Sequence, residues 1–192
     1  MLNSIMNKFK LIIKAMTGII LFCYPIVIYL SLKYQIINIA VLCIAALLVL
    51  RLIALPNLFS NIGWLAKVTT CFGLLLALTS WIFNKFQFLL YYPVATNLLF
   101  LIFFGYSLYQ PQNIIERFAR LKHDNLPASA INYTRKVTIC WCLFFILNGL
   151  IALITCLINN IYWWTMYNGL ISYILIGLLM GGEWIVRQKA KH

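Results

Sequence analysis

The chain has 192 residues, is 64% apolar and only 9% charged, with a mean hydropathy of +0.94. Soluble globular domains are about half apolar and about a quarter charged, and a core of this size cannot hide so much apolar surface from water. The composition therefore excludes a soluble globular domain, a disordered chain and a disulfide-stapled secreted module, and reads as an integral membrane protein. Lys and Arg number 15 against 3 Asp and Glu, a net charge of +12. These basic residues border apolar runs and form no stripe with interleaved aromatics, which points to anionic lipid headgroups and away from nucleic acid.

A spanning helix needs about 20 apolar residues. Six runs qualify in chain order: Ala15–Leu32, Ile36–Leu55, Trp64–Phe83, Leu89–Tyr109, Val137–Asn159 and Tyr162–Trp184. In lipid the backbone must satisfy its own hydrogen bonds, so the runs read as helices, and the short alternating segments of a barrel are absent. The expected fold is all-α, a polytopic transmembrane helix bundle of six spans forming a single membrane domain over residues 1–192. Lys8, Lys10 and Lys14 precede the first run and imitate a secretory signal. The run is long, however, and Ser31–Tyr34 offers no small-residue cleavage site, so an uncleaved first span is expected. With the N-terminus in the cytoplasm, every Lys and Arg except Lys33 and Lys85 falls on the inner side. That bias sets both termini in the cytoplasm.

Aromatic residues stand where interfaces are expected. Tyr91 and Tyr92 open the fourth span, Tyr106 and Tyr109 close it, Tyr162, Trp163 and Trp164 open the sixth, and Trp184 ends it; all read as headgroup-level anchors. The one substantial loop, Gln110–Lys136, holds the densest charge. Pro111 suits a helix start, and Gln112–Lys122 then reads as a short amphipathic cytoplasmic helix between spans four and five. Its apolar face is Ile114, Ile115, Phe118 and Leu121, with Glu116, Arg117 and Arg120 opposite.

Guanidinium groups grip phosphate and carboxylate in a bidentate fork. Arg117, Arg120 and Arg135, together with Glu183 and Arg187 at the inner end of the sixth span, are therefore the candidate anion or headgroup-binding residues. The plainer alternatives are a connector resting on acidic lipid and a helix-end ion pair between Glu183 and Arg187. Arg51 and Lys67 lie near inner ends and can snorkel. Glu116, Tyr133 and Trp141 are candidate loop contacts. Asn97, Asn148 and Asn168 fall within spans, where such residues most often hydrogen-bond between helices. Asn148-Gly149 and Asn168-Gly169 each place a small residue beside an amide. Spans five and six are joined by Asn160 and Ile161 alone, so they are expected to pack antiparallel, with Asn148 and Asn168 bonded across the contact.

Gly177 and Gly181 form a GxxxG, a weak packing signal. The 6 cysteines all fall within spans and behave as small apolar groups. With only His123 and His192 besides, both outside the spans, no metal site is expected. No phosphate-cradling Gly loop and no nucleophile motif appears, so neither a cofactor nor a catalytic residue is assigned.

From Tyr91 onward a series of short motifs stands out: Tyr91-Tyr92-Pro93 with Asn97, Ile115-Glu116-Arg117-Phe118-Ala119-Arg120-Leu121, Leu126-Pro127 and Tyr133-Thr134-Arg135. It continues with Trp141-Cys142, Phe144-Phe145, Asn148-Gly149, Tyr167-Asn168-Gly169 and Gly182-Glu183-Trp184. The series resembles an uncharacterised family of bacterial multi-pass inner-membrane proteins, often encoded in clusters for aryl polyene biosynthesis, whose products are polyketide-like acyl chains attached to lipid. The resemblance covers the C-terminal half. It implies a non-enzymatic accessory in synthesis, positioning or export of a lipid-linked acyl product. Its implied partners are anionic membrane lipids at the inner face and other membrane or acyl-carrier components of such a pathway. The alternatives are a small membrane enzyme acting on an acyl or phospholipid substrate, for which Glu183, Glu116, Tyr133 and His123 are the groups on offer, and an assembly scaffold.

Overall fold

The structure, a computed structural model, describes residues 23–54, 61–120 and 126–189. Lys8, Lys10, Lys14, the first half of the Ala15–Leu32 run, Lys122, His123, Asp124, Lys191 and His192 lie outside the described residues. The described residues are helical throughout, with short turns. In chain order they form α1 (Tyr24–Lys33), α2 (Ile37–Ala54), α3 (Asn61–Phe83), α4 (Gln87–Leu90), α5 (Tyr92–Ser107), α6 (Ile114–Arg120), α7 (Ala128–Ile158), α8 (Ile161–Met166), a π-helical segment (Tyr167–Ile171) and α9 (Ser172–Lys189). Three helices, Gln87–Ser107, Ala128–Ile158 and Ile161–Gln188, are long and apolar enough to cross a membrane; Ile37–Ile53 and Lys67–Phe83 are shorter apolar helices.

Three tight turns rest on residues with left-handed backbone: Gln35 (φ 58°), Asn84 (φ 52°) and Asn159 (φ 54°). Such a residue just past a helix end lets its carbonyls close on local N–H groups, as Tyr34 N–H does on Leu30 O and Lys85 N–H on Ser80 O. Asn160 then starts α8 as its N-cap, its side chain accepting from Tyr162 N–H at 3.0 Å and Trp163 N–H at 3.3 Å. A left-handed residue followed by an N-cap thus reverses the chain in two positions.

Helix α7 is the spine. Its 31 residues extend about 46 Å, and it begins nine residues before the predicted Val137, so Arg135 and Lys136 lie within the helix instead of in the loop. Thr134, Thr138, Trp141, Phe145, Asn148, Ala152 and Thr155 recur at alternating four- and three-residue steps and form one seam. Such spacing keeps one stripe facing a neighbouring helix over many turns. Against this seam α5 lies antiparallel in a fixed register: Asn97 meets Asn148, Phe100 meets Phe145 and Phe104 meets Trp141.

Two apolar cores result. One joins Tyr24, Ile28, Val41, Ile44, Leu48, Ala77, Leu89, Leu90, Cys156 and Trp164. The other is aromatic, with Phe104, Phe145, Ile114 and Cys142 at its centre and Phe100, Trp141 and Phe144 around it. Phe145 stacks on Phe100 at 5.3 Å and meets Phe104 edge-on at 5.2 Å, the geometries that ring quadrupoles favour. A tier of amides separates the two cores.

Candidate functional site

The amide tier is built by α5, α7 and the π segment. Asn148 donates from Nδ2 to Asn97 Oδ1 at 3.0 Å and accepts at Oδ1 from the Tyr167 hydroxyl at 2.9 Å, and Asn97 Nδ2 donates to Pro93 O at 2.8 Å. All three side chains are buried. Gly149 makes the approach possible: a Cβ there would lie 3.2 Å from the Asn97 Cβ. Asn168 does not reach Asn148 as the spacing suggested. It donates instead to Thr155 Oγ1 at 3.2 Å and Trp164 O at 2.9 Å. The physical reason is the π segment, whose extra residue per turn rotates Tyr167 onto Asn148 and carries Asn168 toward Thr155.

A second construction surrounds the break between α4 and α5. Pro93 has no N–H, so Leu89 O loses the partner a continuous helix would supply. The Tyr24 hydroxyl takes that carbonyl at 2.6 Å, while Leu90 O accepts from Trp164 Nε1 at 3.0 Å and Cys156 Sγ at 3.1 Å. Here the structure corrects the anchor reading of Trp164: its side chain is 0% exposed and serves a broken helix, whereas Tyr162 and Trp163 are exposed. Pro93 was the signal in the sequence, since it identifies which carbonyl is orphaned but not which side chain answers it.

The third construction docks α6 on the start of α7. Asn113 caps α6, accepting at Oδ1 from Glu116 N–H at 3.0 Å and from Thr138 Oγ1 at 2.9 Å, and its Nδ2 donates to Thr134 Oγ1 at 3.1 Å. Ser107 Oγ accepts from Ile114 N–H at 3.1 Å. Glu116 is 2% exposed, and its Oε1 receives Arg120 Nε at 2.9 Å and the terminal nitrogen at 2.8 Å. The amphipathic reading of α6 is therefore inverted at Glu116. That carboxylate faces the bundle while Phe118 faces outward at 45% exposure, because the seam of α7 presents threonine hydroxyls there and not apolar groups. The Asn113-x-x-Glu116 spacing is a capping-box pattern legible in sequence, and it is the signal that would have found Asn113; no local pattern marks Thr134 and Thr138 as its partners.

The candidate anion-binding residues divide into separate groups. Arg120 is turned onto Glu116, and Arg117 Nε donates to Gln112 O at 3.1 Å. On the other side of α7 the Tyr133 hydroxyl donates to Glu183 O at 3.1 Å, and Arg187 Nε stands 3.8 Å from Glu183 Oε1. Arg135 is exposed and lies two residues from Tyr133, which on a helix is about 200° round; Lys136, also exposed, shares the Tyr133 side more nearly. Trp141 packs with Phe104, Phe144 and Phe145, in the cluster that also takes Ile114 and Ile115 of α6. Among the described residues no group of three or more His, Cys, Asp or Glu gathers. No protein-family model, curated protein or solved structure matches this chain.

Proposed function

We propose that this chain is a multi-pass protein of a bacterial inner membrane, with six spans and both termini inside. We propose further that it serves as a non-enzymatic accessory that positions or passes on a lipid-linked acyl product of the aryl polyene kind. One observation carries the reading: the surface is widely apolar, while polar side chains are held inside among the apolar cores. Leu143, Leu147, Leu150, Ile154, Leu157, Leu178 and Ile185 are exposed, while Asn97, Asn113, Glu116, Thr138, Asn148 and Asn168 are buried. Water would impose the reverse, whereas lipid accepts the apolar exterior and makes internal hydrogen bonding obligatory.

The accessory role is supported by what the interior polar groups do. Asn97, Asn148, Tyr167, Asn113, Thr138 and Glu116 are all engaged in holding helices together. Among the described residues the buried side-chain atom without a partner is Thr165 Oγ1, a poor nucleophile without an adjacent base. The residues that carry the family resemblance are also contact builders here: Pro93, Asn97, Glu116, Tyr133, Asn148, Gly149, Tyr167 and Glu183.

Two experiments test the reading. Reporter fusions at Lys33, Lys85 and Asn160 should read periplasmic, and those at Asn61, Asp124 and His192 cytoplasmic; a periplasmic signal at Asp124 overturns the topology. Mass spectrometry of lipids extracted from a deletion strain should show loss or intracellular build-up of a lipid-linked acyl species. An unchanged lipid profile overturns the pathway assignment.

A further inference from the structure

The π segment and α9 run antiparallel to α7 and meet it at two levels. At one, the Tyr167 hydroxyl reaches Asn148; at the other, the Tyr133 hydroxyl reaches Glu183 O. Between them the backbones stand apart: α9 packs chiefly on the π segment that leads into it. The row of α9 facing the bundle, Ile176 and Leu179 between Ser172 and Glu183, is only partly covered. Across from that row, at helical spacing from Tyr133, α7 presents Cys140, Phe144 and Leu147, the first and last of them exposed. The result is a furrow with apolar walls, about 22 Å long from Tyr133 to Asn148.

Its two ends differ. The Asn148–Tyr167 end is neutral and internally bonded. At the other end Arg187 is half-exposed, and at 3.8 Å from Glu183 it is beyond hydrogen-bond length, so its donors are not consumed by the carboxylate. Lys136 is exposed on the same side of α7. A polymethylene chain fills an apolar furrow by dispersion contact where water has no partners, and positive charge at one end alone fixes which way round it lies. We propose that this furrow seats one acyl chain of an anionic phospholipid of the surrounding bilayer, its phosphate against Arg187 and Lys136. The inference rests only on the part of the functional reading that places α7 and α9 across a membrane.

The test uses the full-length protein in nanodiscs of phosphatidylcholine containing a minor fraction of phosphatidylglycerol, with a photoactivatable diazirine on the acyl chain of one lipid or the other. The phosphatidylglycerol probe should label peptides spanning residues 140–147 and 176–182 in preference to the phosphatidylcholine probe. Arg187→Gln should lower that preference about fivefold, the worth of one basic residue at an anionic headgroup. Cys140→Trp and Leu179→Trp should each remove the labelling by filling the furrow, while Ile146→Trp, on the far side of α7, should leave it intact. Equal labelling by both lipids, labelling spread evenly round α9, or crosslinks between α9 helices of two copies overturns the furrow as a phospholipid seat. A protein that fails to enter nanodiscs and partitions into the aqueous phase overturns the membrane reading as well, so the two failures are distinguishable.

Discussion

Helix α7 has two antiparallel neighbours and treats them differently. Toward α5 it presents aromatic and amide side chains in constant register, closed at Gly149 to near-contact with Asn97. Toward the π segment and α9 it offers two hydrogen bonds at the ends and, between them, apolar side chains that stay exposed or only partly covered. The residues explain the contrast. The α5 seam alternates large rings with small or hydrogen-bonding groups, so every level has a partner of matching shape and polarity. The α9 side carries branched and aliphatic residues at similar depth with no complementary row. In an apolar solvent, association is driven by packing and hydrogen bonds and not by apolar burial, so only the first arrangement closes.

The comparison can be broken most strongly where charge is buried. Arg120→Ala leaves the buried Glu116 carboxylate without its ion pair and should destabilise the α6–α7 contact by about 3 kcal/mol, tempered by the water that reaches Arg120. Thermal unfolding in detergent measures it, and Arg120→Lys should restore only part of the loss because a single ammonium cannot reproduce two donors on one oxygen. Next in size, Asn148→Leu removes the bonds to Asn97 and Tyr167 together. About 1–2 kcal/mol should be lost, and more than in Asn168→Leu, whose partner Thr155 keeps its own bond to Ala152 O at 2.7 Å.

A glycine pair sharpens the comparison further. Gly149→Ala forces α5 and α7 apart by a few tenths of an ångström and should cost about 1 kcal/mol. Gly181→Ala meets open space and should be neutral or slightly stabilising, by up to about 0.5–1 kcal/mol, through helix propensity. Equal effects at the two glycines would mean that α5 does not approach α7 closely at Gly149. The smallest effect is expected at Tyr133→Phe, about 0.5 kcal/mol. It should appear as faster amide exchange confined to the last turns of α9, with α5 unaffected.

The amino-acid order alone determined that the chain is helical, where the longest apolar runs lie and that the helices either side of the Asn159–Asn160 turn fold back on each other, because run length and a two-residue connection leave the backbone few alternatives. It also marked Asn97, Asn148 and Asn168 as side chains needing partners, since an amide among apolar residues must bond to something. The choice of partner was a tertiary matter. A π turn of five residues sent Tyr167, not Asn168, to Asn148. A proline break recruited Trp164 from an expected interface position into the centre. The threonines on α7 drew Glu116 inward. Each outcome depended on a rotation of about one residue along a helix, about 100°, and on which polar group from another element stood opposite. Neither quantity is carried by composition or periodicity; the packed bundle sets both, because a buried donor or acceptor settles on whichever partner the backbone brings within about 3 Å.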